Sequence, residues 1–183
     1  MMGKLNLFDC DRKTLESYFA DIGEKSFRAH QLLKWIYQHG VINIESMSNL
    51  SNDLRAYLKE NTSVKLPEII TEKKSKDGTK KWLIKVDEKN SIETVFIPEN
   101  DRGTLCISTQ VGCALDCKFC STAQQGFSRN LTTSEIIGQV WVANKILGHF
   151  ENGNRMITNI VFMGMGEPLL NYDNVLKAIN LML

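Results

Sequence analysis

Three of the five cysteines in this chain, Cys113, Cys117 and Cys120, fall within the stretch GCALDCKFC, residues 112–120. Thiolates are soft metal ligands, so a C-x3-C-x2-C run in one short segment points first to a metal centre. Structural zinc usually takes four ligands paired as C-x2-C units, and only three lie together here. Cys106 could supply a fourth, but it lies inside an apparent strand. Three thiolates on three irons of a 4Fe-4S cluster would leave the fourth iron with no protein ligand, open to a small molecule. On spacing alone the cluster, a zinc site and a coincidence of unrelated thiols all stay open.

A second stretch that could do chemistry is MGMGEP, Met163 to Pro168. Its glycines let a ligand approach the backbone, and Glu167 offers an acceptor to a cationic amine. Taken by itself the same run is equally well a tight turn.

These segments need elements to hold them, and the apolar periodicity supplies three kinds. From Asp11 to about Thr62 the period is helical: Leu15, Tyr18, Phe19 and Ile22 recur at i, i+3, i+4, i+7 before Gly23. Leu32, Leu33, Ile36 and Tyr37 do the same before Gly40, and SNDLRAYLKENT predicts a third helix. After Pro67 the pattern alternates with period two in EIITEKKS, KKWLIKVD and SIETVFIP, with Asp77-Gly78 as a hairpin turn, which predicts a small antiparallel sheet. From about Leu105 a strand (LCISTQ), a loop, a helix and a strand (TNIVFMG) follow one another. The helix starts at a capping box, Thr132 with Glu135, and stops near Gly148. NYDNVLKAINLML is helical by Val175, Leu176, Ile179 and Met182. Strands separated by one helix are normally parallel with a right-handed crossover, so this β-α-β-α run opens a parallel barrel or open sheet. Both chemical segments then fall at the C-terminal ends of strands, where ligand sites of such sheets gather.

The totals exclude little else. With 183 residues, 43% hydrophobic and 23% charged, the chain can bury a core as one large or two small domains. The net charge of +1 announces no nucleic-acid partner, so such a site would have to be local. The basic hairpin tip, Lys73, Lys74, Lys76, Lys80 and Lys81 beside Trp82, is the obvious patch, with Lys25 and Arg28 as further positive groups; a solvated edge protected by lysines is the other reading. The N-terminus has no apolar signal core, and no run approaches the ~18 apolar residues of a membrane span, so a cytoplasmic protein with no membrane association is expected. Cys10, His30, His39 and His149 read as structural or surface residues.

The cysteine spacing, with Phe119 just before the last cysteine, resembles the radical S-adenosylmethionine enzymes, and MGMGEP resembles their methionine-amine-binding motif. The flanks, TLCISTQVGCALDCKFCSTAQQGFSRNLTTSEIIGQV, NIVFMGMGEPLLN and GEKSFRAHQLLKWIY, resemble the dual-specificity 23S rRNA and tRNA adenine C2-methyltransferases over nearly the whole chain. The resemblance implies an α/β protein with an accessory RNA-binding domain of helices and a small antiparallel sheet over residues 1–100. The start of a partial (β/α) barrel would fill residues 101–183. It also implies two cofactors, a 4Fe-4S cluster on Cys113, Cys117 and Cys120 and S-adenosylmethionine, the latter contacted by Phe119, Gly166 and Glu167.

The implied chemistry explains otherwise idle residues. C2 of adenine is not nucleophilic, so a radical must be supplied by the cofactor. In the family a methyl travels on a cysteine near the C-terminus, adds to the base and leaves a protein–RNA crosslink. Resolving that crosslink needs proton removal and a second thiol. Glu93 matches the proposed proton acceptor and Cys106 the resolving thiol. A family member of this kind acts on 23S rRNA and tRNA, takes electrons from a donor such as flavodoxin, and works as a monomer. The sister group methylating C8 of the same adenosine, and a zinc-containing RNA-binding fragment, are the alternatives. The methyl-carrying cysteine is absent from residues 1–183, so this chain by itself is expected to be inactive.

Overall fold

The computed structural model describes residues 4–100 and 102–183. It divides into two compact units between Lys65 and Leu66. In the first, the short strand β1 (Leu5–Asn6) precedes three helices, α1 (Arg12–Asp21), α2 (Phe27–Leu33) and α3 (Asn52–Asn61), and β2 (Thr62–Ser63) closes the unit by pairing with β1 in parallel. The Asp11 carboxylate accepts the Thr14 N–H at 2.8 Å and so caps α1, whose Leu15 and Phe19 are buried as their spacing predicts. The second predicted helix is less regular. Beyond Leu33 it widens into a π turn, Lys34–Gln38, in which the His39 N–H reaches the Lys34 carbonyl at 3.1 Å. Arg28 is engaged inside the unit, donating to Gln31 Oε1 and to the Asn49 carbonyl, while Lys25 is exposed.

The second unit begins with three antiparallel strands, β3 (Glu68–Lys74), β4 (Lys80–Lys85) and β5 (Ser91–Pro98). They are followed by β6 (Gly103–Cys106), β7 (Gln110–Gly112), β8 (Phe127–Asn130), α4 (Thr133–Ile146), the short α5 (His149–Asn152), β9 (Asn159–Val161) and α6 (Tyr172–Met182). One five-stranded sheet runs in the order β3-β4-β5-β6-β9, antiparallel up to β6 and parallel between β6 and β9. The predicted β-α-β crossover is therefore present as β6-α4-β9. The Thr132–Glu135 capping box is present in both directions.

Two expectations are corrected. The hairpin strands do not form a separate small sheet belonging to an accessory domain that ends at residue 100. Val95 pairs with Cys106 and Ile97 with Thr104, so β5 shares its ladder with the core strand β6, and the compact unit reaches back to Leu66. The stretch LCISTQ is likewise not one strand: β6 stops at Cys106, residues 107–109 leave the ladder, and β7 pairs instead with β8 in a separate two-stranded sheet.

Side chains alternate across β4, β5 and β6. Trp82, Ile84, Ile92, Phe96 and Leu105 point to one face and are all but completely buried. Helix α4 lies against this face, where Gln139 Oε1 accepts the Thr94 hydroxyl at 2.8 Å. Trp82, expected beside the hairpin lysines, is 0% exposed and donates its indole N–H to Glu72, so it does not belong to their surface. No helix among the described residues is long and apolar enough to cross a membrane.

Candidate functional site

The site grows from the end of β6. After Cys106 the chain stays bonded to the segment beyond β9: Ile107 N–H to the Val161 carbonyl at 3.0 Å, Gly164 N–H to the Ile107 carbonyl at 3.1 Å, and Thr109 N–H to the Met165 carbonyl at 2.8 Å. The Gly-Met-Gly-Glu-Pro turn is thereby laced to residues 107–110, the approach to the cysteine loop. Buried polar side chains secure the lacing. The Ser108 hydroxyl donates to the Glu93 carbonyl at 2.7 Å and accepts the Met165 N–H at 2.9 Å. Gln139, 0% exposed, accepts the Ser108 N–H and donates to its carbonyl. Asn171 donates to the carbonyls of Thr109 and Leu131 at 2.8 Å each.

The cysteine loop leaves from β7 and returns through β8. Its neck closes at Gly112, where the Cys113 N–H meets the Gly126 carbonyl at 3.2 Å. A side chain at Gly112, whose φ is +74°, would start 1.7 Å from that carbonyl oxygen, so only glycine fits. Arg129 anchors the returning strand. Its guanidinium grips Asp87, in the turn between β4 and β5, at 2.7 and 3.0 Å, and both carboxylate oxygens of Glu135 at 2.8 Å. Hydrogen bonds from Asn90, then Arg129 and the Lys89 N–H, hold the Asp87 carboxyl well below the ordinary carboxylate range.

Within the loop all three thiols are unbridged and half-buried. The Cys120 N–H donates to the Cys117 carbonyl at 2.9 Å, and the Leu115 N–H points at Cys113 Sγ at 3.5 Å. Backbone N–H groups of Ala123 and Thr122 hold the Cys120 thiol below its usual value. Among the described residues, no three His, Cys, Asp or Glu side chains are gathered closely enough to grip an ion. The fit to an iron–sulfur cluster is one of donor chemistry: three free thiols in one loop, one of them eased toward thiolate. Large apolar side chains of the loop and of the turn stand in solvent: Leu115 and Phe119 on the loop, the latter 94% exposed, and Met163, Leu169 and Leu170 along the turn, Met163 at 81%.

Cys106 stands apart from the loop, as its place in a strand predicts. It shares the second, open face of the sheet with Glu93. Cys106 pairs with Val95, and Glu93 lies two residues along the same strand, a diagonal separation that long side chains span. Glu93 is half-exposed and its carboxylate is held by Lys81 Nζ at 2.6 Å. Burial pushes the Cys106 thiol up, partly offset by a hydrogen bond with the Met163 backbone. Glu167 uses Oε1 to cap the short 3-10 turn at Leu169, 3.1 Å away, and Gly166 packs against Gln110. Sequence reasoning brought out neither Arg129 nor the amides Gln110, Gln139 and Asn171. Their one sequence signal is polarity at positions flanked by apolar strand and helix residues.

Residues 5–64 match the family model described as the ribosomal RNA large subunit methyltransferase N-terminal domain, and residues 107–183 match that of the radical SAM superfamily. The chain is 53% identical over 180 residues to a protein of Marinobacter nauticus named dual-specificity RNA methyltransferase RlmN, covering 98% of this chain and 49% of that one. Proteins of the same name from Stenotrophomonas maltophilia and Alkalilimnicola ehrlichii are 56% and 58% identical, with 46% and 49% of their lengths covered. The chain thus spans about half the length of the curated relatives it matches. Among solved structures, a radical SAM methyltransferase from Sphaerobacter thermophilus superposes with a TM-score of 0.84 at 36% identity, over 97% of this chain and 52% of that one.

Proposed function

Because the chain belongs, along its matched segments, to the radical SAM RNA methyltransferases of the RlmN type, we propose that it carries the accessory region and the first part of the core of an enzyme that methylates C2 of adenosine in 23S rRNA and tRNA. The observation that carries this reading is the lacing of residues 107–110 to 161–165, which brings the cysteine loop and the Gly-Met-Gly-Glu-Pro turn to the same end of adjacent parallel strands.

Cys113, Cys117 and Cys120 are the residues that would hold a 4Fe-4S cluster, with Phe119, Gly166 and Glu167 on the S-adenosylmethionine side. When bound there, the cluster and S-adenosylmethionine would supply radical chemistry able to reach an unactivated position. Glu93 would take the proton from the base carbon that bears the crosslink. Cys106 would then attack the sulfur of the methyl-carrying cysteine, forming a disulfide with it as the sulfur–carbon bond to the base breaks and leaves its electron pair, and a proton from solvent, on the new methyl group. Their shared open face supports this division of labour, and the Lys81 ammonium holds the Glu93 carboxylate in place at 2.6 Å. The Cys106 thiol, held protonated by burial, stays inert until a base is beside it.

Strand β6 and its parallel neighbour β9 open a partial (β/α) barrel. The exposed lysines of the β3-β4 tip, Lys73, Lys74 and Lys76, carry the phosphate contacts, which makes RNA affinity fall with salt. An electron donor of the flavodoxin kind, a monomeric state and a cytoplasmic site of action complete the reading.

Anaerobic reconstitution of the purified protein with iron and sulfide, followed by metal analysis, tests it. Iron with matching sulfide and brown absorption is the expected result. One zinc per chain without sulfide replaces the enzyme by a zinc-bearing RNA binder.

A further inference from the structure

One buried side chain touches both halves of the proposed cofactor site. Gln110, the first residue of β7, is 0% exposed. Its Oε1 accepts two backbone N–H groups: that of Glu167 at 3.0 Å, in the Gly-Met-Gly-Glu-Pro turn, and that of Ala114 at 3.3 Å, between the first two loop cysteines. Its Nε2 donates to Asn130 Oδ1 at 2.9 Å, on the strand by which the loop returns. Gly166 is pressed against the same side chain so closely that a Cβ there would lie 2.5 Å from Gln110 Cβ. The aliphatic stem thus sets how near the turn can come, and the amide head sets how the loop and the turn are held.

We propose that Gln110 is a positioning residue that fixes the spacing between the cysteine loop and the Gly-Glu-Pro turn, so that one ligand can meet both at once. The inference rests on the reading of that ligand as S-adenosylmethionine. The geometry admits no simple replacement. An apolar side chain of the same size leaves the Glu167 and Ala114 N–H groups without the one acceptor that ties them together, and the loop and the turn lose their shared fastening. The three thiolates lie on the loop itself and keep their ability to bind metal. Ligand affinity is therefore the quantity that changes, while metal content stays the same.

The test uses the full-length protein, reconstituted anaerobically and reduced. Two quantities are read: iron per chain, and the S-adenosylmethionine concentration that half-converts the cluster's electron paramagnetic resonance spectrum to its ligand-bound form. Gln110→Leu should hold the wild-type iron content and need about ten- to hundred-fold more S-adenosylmethionine, the range seen when a group orienting a metal site is removed. Gln110→Glu keeps the shared acceptor and should recover most of that loss. Ile84→Val trims an equally buried side chain of the β4 core that takes no part in holding the loop or the turn; it should lower the melting temperature and leave the half-conversion concentration unmoved. If Gln110→Leu does not fold, Asn130→Ala serves, since it strips the exposed partner of the same amide; a rise of about three-fold is expected. A wild-type concentration dependence in Gln110→Leu, or in Asn130→Ala where that stands in, overturns the proposal. So does an equal rise in Ile84→Val. A wild-type protein that binds no iron at all overturns instead the reading of the site on which the proposal rests.

Discussion

The two faces of the five-stranded sheet are made of alternate residues on the same strands and do opposite things. Trp82, Ile84, Ile92, Phe96 and Leu105 fill one face and leave almost no surface to water. Lys81, Leu83, Glu93, Val95 and Cys106 line the other, where an ion pair stands half in solvent and a thiol sits beside it in the register. The backbone ladder is common to both, so the contrast is written in side chains alone. A period of two lets a strand commit every second residue to stability and release the rest for chemistry.

The contrast is broken most directly by truncating neighbours on opposite faces. Trp82→Ala should destabilise the protein by about 3–5 kcal/mol in urea unfolding, and Leu83→Ala, on the open face, by less than about 1 kcal/mol. Similar losses from the two would mean that the open face is also a core.

A pH series sharpens the comparison at the sheet's edge. The folded Asp87 carboxyl lies below its ordinary 3.8. Its contribution is therefore fully present above that value and drains away as pH falls through the folded value. Thermal melts between pH 6 and pH 3 should show stability falling with acid, less steeply in Asp87→Asn than in the wild type.

Smaller still is the effect of Lys81→Met. The pair with Glu93 is half-exposed on both sides, so unfolding free energy should change by no more than about 1 kcal/mol. A larger loss would make the open-face pair structural. Cys106→Ala should do least of all, leaving iron content after reconstitution equal to that of the wild type. Iron lost in that variant would make Cys106 a ligand and erase its separation from the loop.

Much of this arrangement can be read from the chain. Helices with repeating apolar spacing, such as Leu15 and Phe19 on α1, and a capping box such as Thr132 with Glu135, are local properties, and local patterns survive folding. The cysteine spacing and the Gly-Met-Gly-Glu-Pro run are local too. What lay hidden depends on partners far along the chain. That β5 pairs with β6 rests on Val95 meeting Cys106, and no periodicity within either strand announces it. The backbone partners of Ile107, Thr109 and Gln110 beyond the ladder are Val161, Gly164 and Met165, all more than fifty positions away. Gln110 and Gln139 look like surface residues until burial shows that each satisfies backbone groups that would otherwise have none. The turn of π helix after Leu33 keeps the apolar spacing of an α-helix, so the pattern cannot distinguish the two.

The cinched neck at Gly112 has a consequence for how the loop tolerates change. Because its two ends are fastened to each other by the protein's own amides, the excursion between them is a closed ring whose length is uncoupled from the sheet beneath. The entropy of such a ring grows only logarithmically, about 0.6 kcal/mol for each doubling. Residues can be added between the cysteines and the neck at small thermodynamic cost, whereas a single methyl group at Gly112 itself collides with the Gly126 carbonyl. Variation in this loop should therefore appear as insertions and substitutions between Cys120 and Gly126, with the cysteine spacing kept and the clasp left as glycine.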